Sequence, residues 1–580
     1  MSFKQIFMKF QKKYIYIILL FFLSIFVCTL LWNSIRFEPS RYDIIGQYSF
    51  NNFNPLNEIV RYILFISLPF IIFFVSKIYF FKISYQDILE SFKIKYEKEL
   101  VEKYHYYLFF LLIAYLFCEL FSQNFPLHKI DIYHEGQRLS SAYKSLLDNS
   151  LWTGSFVTVG IIYETIGTKF IWGLFNKETI GLMRILDIFY VFFTKVLLVY
   201  LFFEISKYTK FDLKFKLLFF LLVTLMGLSL ISYNLNSSGN IHFREIPILV
   251  TLLIIIKSLD KSSFLLNLIF GFLSVFVYLW SLDRGIVFSL LLVLFCFFLI
   301  FNNRYRDFIY LIICISFFWF LFYFFETEEF KAFWINTYDV ITELNYIHGI
   351  IHPTPFSDEQ NSSRATKNLI VILFSVVFST NFLLNRDNKN LNKFKFILFF
   401  LSIVSFLSYI YALGRTDGPH LKQTFGFPSI FLIITITYFI LKIISDFIIK
   451  IQKNFSYLNF IPFIIVISMG LFFLDYKNIF NYKERFLNYV DLSDDKFLSQ
   501  EDNIFIKNAS SILKNEECIQ LFTNDAALLY LLKKPSCTKF YFFWSIGSEK
   551  NQKILINNSK NIKYAVSNGN TDQWSQPIEI

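Results

Sequence analysis

Charge is scarce in this sequence. Of its 580 residues 17% are Asp, Glu, Lys or Arg, against 55% hydrophobic residues, 79 of them Phe. A soluble chain of this length needs far more polar surface. Membrane-spanning helices need none along the hydrocarbon core, so the composition excludes a soluble globular fold. Cysteine is sparse too. The six Cys form no CxxC and no His/Cys cluster, which leaves no signal for zinc. Cys28, Cys118, Cys296 and Cys314 lie inside apolar runs and read as small buried hydrophobes. No internal repeat and no low-complexity tract is present. The net charge of +11 does not imply nucleic acid, because the basic residues sit in short loops between apolar runs.

What is present is a series of apolar windows, which predicts about thirteen spans: 14–33, 61–81, 106–122, 182–206, 216–233, 246–257, 263–281, 286–302, 308–325, 368–384, 396–412, 425–445 and 459–475. The first follows Lys4, Lys9, Lys12 and Lys13 and leads to Trp32 and Arg36. It is too long for a cleaved signal and reads as a retained anchor. The sixth is short and follows Arg244 and Glu245, so it is either tilted or begins inside a cavity.

Orientation follows from the loops. With the N-terminus in the cytoplasm, alternate loops carry Lys93, Lys95, Lys98 and Lys103; Lys207, Lys210, Lys214 and Lys216; Lys257 and Lys261; Arg304 and Arg306; Arg386, Lys389, Lys393 and Lys395; and Lys450 and Lys453. Each is basic, as expected of cytoplasmic loops. The opposite face holds the long segment 123–181, turns at 234–245, 282–285 and 413–424, the loop 326–367 and everything after 476. Stretches 137–149 and 156–175 predict two amphipathic helices at the membrane surface, with Trp152 and Trp172 as interface anchors. Residues 476–580 read as a small extracytoplasmic α/β domain: a strand from Cys518, a turn at Thr523–Asp525, a short helix, a second strand near Cys537, and a third at 561–568. Cys518 and Cys537 are either a disulfide or two thiols.

Four outer segments could carry chemistry. "HKIDIYHEGQRL" places Asp131, His134, Glu135 and Arg138 where the chain leaves the third span. Asp131 is either an acidic group of a site or an N-terminal helix cap. Gly136 permits close approach of a backbone or a ligand. "HFREIP" places His242, Arg244 and Glu245 before the sixth span. "SLDRG" puts Asp283 and Arg284 in a tight turn, which explains Asp and Gly but not Arg. "LGRTDGPHLK" carries Arg415, Asp417, His420 and Lys422. All four fall on one side, at the depth of a lipid phosphate. Arg and His there can bind a phosphate, and a carboxylate can take a proton from an acceptor hydroxyl.

With the acidic residue early in the first large outer loop, amphipathic helices in that loop, many further spans and an outer C-terminal region, the chain from about residue 106 resembles the GT-C superfamily of integral-membrane glycosyltransferases. It is most similar to bacterial members akin to lipid A aminoarabinose transferases and protein mannosyltransferases. The resemblance implies an all-α polytopic transmembrane bundle with a GT-C-like core over 106–475, preceded by two helices and a cytoplasmic loop over 1–105. It implies transfer of a sugar from a polyprenyl-phosphate donor to a glycan, lipid or protein acceptor at the outer face of a bacterial inner membrane. Asp131 would be the general base with Glu135 second. His134, Arg138, Arg244, Glu245, Asp283, Arg284, Arg415, Asp417 and His420 would bind substrate. The key loop follows the third span rather than the first, and it lacks an adjacent Asp-Glu pair and a DxD. No cofactor is specified. Asp131 and Glu135 could offer oxygens to a divalent ion, but nothing requires one.

Two rivals stand beside this reading. The loop 326–367 carries His348, His352 and Arg364, as expected of an O-antigen polymerase or ligase-like enzyme. A transporter of lipid-linked glycans would place polar groups near the midplane, where Asp187 and Glu204 form no relay pattern. An assembly protein that binds a partner through its C-terminal region is the non-enzymatic alternative.

Overall fold

The computed structural model describes residues 3–44, 53–94, 102–231, 239–260, 263–385, 392–450, 456–543, 546–560 and 562–567. Each of the thirteen predicted windows coincides with a helix: α1 (Phe3–Leu31), α2 (Pro55–Phe81), α3 (Lys103–Ser122), α4 (Ile180–Ser206), α5 (Leu213–Leu228), α6 (Ile246–Asp260), α7 (Phe264–Trp280), α8 (Leu282–Phe301), α9 (Tyr305–Phe325), α10 (Ser362–Leu384), α11 (Asn392–Ser408), α12 (Gly426–Lys450) and α13 (Ile461–Phe473). Among the described residues, nine helices are long and apolar enough to cross a bilayer, counting α11 with the 3₁₀ turn Tyr409–Ala412 that extends it. The other four, α5, α6, α7 and α13, have 16, 15, 17 and 13 residues. At 1.5 Å per residue these reach roughly 20–25 Å, short of a hydrocarbon core of about 30 Å.

The helices start where side chains can replace missing backbone partners. Asn54 accepts from the Leu56 amide (2.9 Å) with Pro55 at the first helical position, and Thr179 caps α4 in the same way. Only Ser281 separates α7 from α8. The Leu282 amide donates to Val159 (2.6 Å), so this turn is pinned against the segment after Trp152.

Loops sort to two ends. At one end the Asn302 amide side chain donates to Phe92, Arg304 donates to Ser258 (2.5 Å), and Lys207 and Lys257 both pair with Glu204 at 2.8 Å. This is the lysine-rich end, although Lys95, Lys98, Lys261, Arg386, Lys389, Lys453 and the side chains of Lys4, Lys9 and Lys12 lie outside the described residues. At the other end the segments 32–44, 123–179, 326–361, 413–424, 475–543, 546–560 and 562–566 interlock. Glu329 accepts from the Leu151, Trp152 and Thr153 amides (2.7–3.1 Å), the Glu549 amide donates to Asp43, and Ile350 pairs with the 414–415 backbone.

Of the two predicted surface helices the first is buried, whereas the second keeps Phe170 and Leu174 on the surface. The helix His134–Asp148 has its residues 135–143 buried. The second begins as a π-helical turn, Ile162–Ile166, and continues as Gly167–Phe175. Trp152 and Trp172 are interior side chains, not interface anchors. Trp152 packs on Phe333, while Trp172 donates to Thr179 (2.9 Å) and stacks on Tyr530. The cover is the C-terminal region. Its sheet is small: β1 (Gln520–Leu521) pairs in parallel with β2 (Ala565–Val566). The segment near Cys537, expected as a strand, meets Ile519 at a single bridge from Ser536. Cys518 and Cys537 are joined as a disulfide.

The residue that seats this cover is Gly136. A Cβ there would lie 2.3 Å from the Ala527 nitrogen, whose hydrogen bonds to Ile132 (3.0 Å). The partner to which Gly136 gives access is therefore a backbone of the same chain. Gly136→Ala is expected to destabilise the protein by about 1–3 kcal/mol through this clash. Gly173→Ala, with nothing within 4 Å of the added carbon, is the control. Thermal unfolding in nanodiscs measures both, and equal melting temperatures would refute the close contact.

Candidate functional site

The loop-rich end contains an alternating stack of cations and rings. Arg138 lies one turn into the 134–148 helix and is buried. One guanidinium nitrogen is 2.6 Å from the Asp187 carboxylate of α4, and its carbon sits 4.7 Å from the centre of the Tyr163 ring. Tyr163 belongs to the π-helical turn, which Glu164 holds by accepting from Val159, from the Thr158 amide and hydroxyl (3.0 and 3.1 Å) and from the Tyr541 hydroxyl (2.7 Å). Such turns re-aim side chains and recur at functional sites. Arg244, on the turn Phe243–Glu245, lies 5.4 Å from the same Tyr163 ring and donates to the Tyr411 hydroxyl at 3.2 Å. Arg284 covers the Tyr411 ring at 4.7 Å and pairs with Asp283 and Glu245. The imidazole of His420 is 5.3 Å from the Tyr411 ring. Its Nδ1 is 2.6 Å from Asp417, which also caps the short helix Gly418–Thr424.

Two consequences follow for charge. Arg284 is matched by two carboxylates and Arg138 by one, whereas Arg244 makes no direct ion pair among the described residues and feels the Asp283 carboxylate only at longer range. Burial pushes the His420 imidazole down to about 4, with the Arg415 charge acting in the same direction, although Asp417 opposes both. His420 is thus neutral at pH 7 and gives its Nδ1 hydrogen to Asp417. No protein hydrogen bond engages Nε2 among the described residues. Burial and the same Arg415 also hold His348 well below the usual imidazole range, and burial and Arg244 do so for His242. Among the described residues several buried polar atoms here have no hydrogen-bond partner: Nε of Arg138, Arg244 and Arg284, Nη2 of Arg138, Oε2 of Glu245 and the indole nitrogen of Trp280. Buried N–H groups without partners are rare and call for a physical reason, a bound anion being one.

The structure therefore brings together Arg138, Arg244, Glu245, Asp283, Arg284, Arg415, Asp417 and His420, and adds Tyr163, Tyr411, Asp187 and His348. It gives Asp131 and Glu135 other work. Asp131 accepts from the amides of Tyr133 (3.1 Å) and His134 (2.8 Å) with one oxygen and from His134 Nδ1 (2.9 Å) with the other, so it caps the helix. Burial pushes its carboxyl up, but the bonds from His134 and Tyr133 win and hold it below the usual range. Glu135 is gripped by Arg184 at 2.7 and 2.8 Å, and Arg184 also donates to His128 (2.8 Å). His134 is largely exposed, and Lys422 is exposed. His352 lies in another cluster, with Tyr409 (2.7 Å) and Glu58 (2.9 Å), while Arg364 is exposed beside Gly418. Glu204 is at the lysine-rich end. Among the described residues no group of three His, Cys, Asp or Glu side chains is placed to hold a metal ion.

Asp187 had a usable signal, an acid inside an apolar run. Tyr163 and Tyr411 had none, since 35 Tyr are spread through the chain. No family model and no curated protein matches the sequence.

The neutral His420 fixes a pH dependence. The folded chain leaves it unprotonated down to about pH 4, whereas the unfolded chain protonates it near 6.5. The unfolded state then binds more protons, so stability falls as pH drops through that window. His420→Gln is expected to flatten the loss of unfolding temperature between about pH 6.5 and 4 relative to the parent. Parallel curves would show that His420 is not held neutral.

Proposed function

We propose that the protein is an integral-membrane transferase that binds a phosphate-linked lipid at the cationic stack, with a polyprenyl-phosphate sugar as donor. The carrying observation is Arg244: a cation over the Tyr163 ring, beside Arg284 and Arg138, with the Tyr411 hydroxyl as its side-chain partner and no direct ion pair among the described residues. A phosphate supplies a direct counterion, and a guanidinium binds it in bidentate fashion. We further propose that all thirteen helices cross the membrane, with the lysine-rich end in the cytoplasm. The disulfide at the opposite end fits an oxidising compartment.

In the transfer step the acceptor oxygen forms a bond to the anomeric carbon. The bond from that carbon to the phosphate oxygen breaks, and its electron pair leaves with the phosphate, which the arginines stabilise. The acceptor proton goes to a base. His420 is the best-placed group, because Asp417 fixes its tautomer and leaves Nε2 as acceptor, while Asp131 is engaged in capping. Direct displacement inverts the anomeric centre. The polymerase or ligase-like reading keeps one specific support. His348 of the 326–367 segment feels the charge of Arg415, so it borders the same cluster.

Binding of polyprenyl phosphate to protein in nanodiscs tests the site. Arg244→Ala is expected to weaken it by about 1.5–3 kcal/mol, roughly ten- to a hundredfold, the worth of a hydrogen bond to a charged group. Arg306→Ala, at the lysine-rich end, should bind as the parent does. Unchanged affinity in Arg244→Ala would remove the phosphate site. For the step itself, His420→Gln and Asp417→Asn should lower sugar transfer by about 10²–10⁴ with donor binding retained. Asp131→Asn should cost stability more than turnover, and the opposite ranking would return the base to Asp131.

A further inference from the structure

The segment 326–367, read from sequence as a loop, contains a 22-residue helix, Thr327–His348, separated from α9 by Glu326 alone. Its inward face is mixed: Phe333, Val340 and Ile347 are buried, and beside them Asn336 exchanges two hydrogen bonds with the Val157 backbone (3.0 and 2.7 Å), Asp339 pairs with Lys550 (2.5 Å), and Glu343 accepts from Asn551 (2.9 Å). The outward face is apolar: Trp334, Ile335, Tyr338 and Ile341 are 45, 55, 67 and 46% exposed. They recur at helical spacing and form one stripe. A helix on a water-covered surface has its polar residues outside and its apolar ones inside.

The stripe also continues a surface of known character. Among the nine long helices α9 is the least covered, with 11% of its apolar window buried. Phe317, Phe320, Phe324 and Phe325 stand open along it, as on a helix facing lipid. Trp319 of α9 stacks on Trp334 at 5.4 Å, so the two faces meet. The charged residues of the outward face, Glu328 and Lys331, pair with each other at 2.9 Å in the first turn, before the stripe begins.

We infer that the 327–348 helix lies in the plane of the membrane, with Trp334, Ile335, Tyr338 and Ile341 in the lipid interface. Trp and Tyr favour that depth, where the ring body is apolar and its tip is wet. The occupant of the stripe is phospholipid, on the continuity with α9 and on the exposure of four large apolar side chains along one face. The inference stands apart from the transfer reaction and holds or fails without it. It has one bearing on the cationic cluster, because the helix ends at His348, whose imidazole feels the Arg415 charge.

The test uses the full-length protein in nanodiscs. Phospholipids with a photoreactive diazirine in the upper acyl chain report lipid contact, and hydroxyl-radical footprinting reports water contact, both read by mass spectrometry. The expected result is lipid adducts on the 334–341 stripe within about twofold of those on Phe320 and Phe324. Asn336, Asp339 and Glu343 should carry none. Oxidation of Trp334 and Tyr338 without lipid adducts would overturn the inference by placing the helix in water. Shielding of the stripe from both reagents would overturn it as well, by placing a second protein surface there. Sugar transfer is not read in this experiment, so neither outcome depends on it.

Discussion

A guanidinium taken out of water loses several kcal/mol of hydration, and the protein around it must return most of that. The loop-rich end of this bundle meets that requirement repeatedly. Arg61 recovers it from Glu58 and a backbone carbonyl, Arg184 from Glu135 and backbone carbonyls, Arg138 from Asp187 and a ring face, and Arg284 from two carboxylates and a ring face. Arg244 recovers it from a hydroxyl and a ring face, with the Asp283 charge acting at longer range. The contrast is informative because all are held by the same bundle end, and among these five Arg244 alone makes no direct ion pair among the described residues.

The aromatic rings are what allow these cations to sit near one another. Tyr163 separates Arg138 from Arg244, and Tyr411 separates Arg244 from Arg284. Each ring offers negative π density to the cations beside it and keeps water from the space between. The position of Tyr163 depends on the π-helical turn, and that turn depends on Glu164, which is fully engaged by Thr158, Val159 and Tyr541. A carboxylate that touches no cation thus positions a ring that touches two.

Much of this was legible in the sequence. Hydropathy located the thirteen helices, because an apolar run announces itself locally. It did not separate the short helices from the long ones, since their capping and tilt depend on neighbours. Arg244, Arg284, Arg415 and His420 stood out as charges at membrane boundaries. Asp131 and Glu135 stood out equally, but sequence cannot tell a carboxylate that caps a helix or clasps an arginine from one that is open. Arg184 decides that question for Glu135, and it lies in a different helix 49 residues away. The 327–348 helix was missed because Asp339 and Glu343 made its pattern look like a polar loop. Only contacts with Lys550 and Asn551 reveal which face those acids occupy.

The contact between Gly136 and Ala527 bears on the order of biosynthesis. Ser140 donates to Ala526, a partner 386 residues further along the chain. At 5–20 residues per second, a ribosome needs roughly 20–80 s to supply it. During that interval the 134–148 helix lacks its cover, so its small-residue face completes its packing only once residues 526 and 527 have been made.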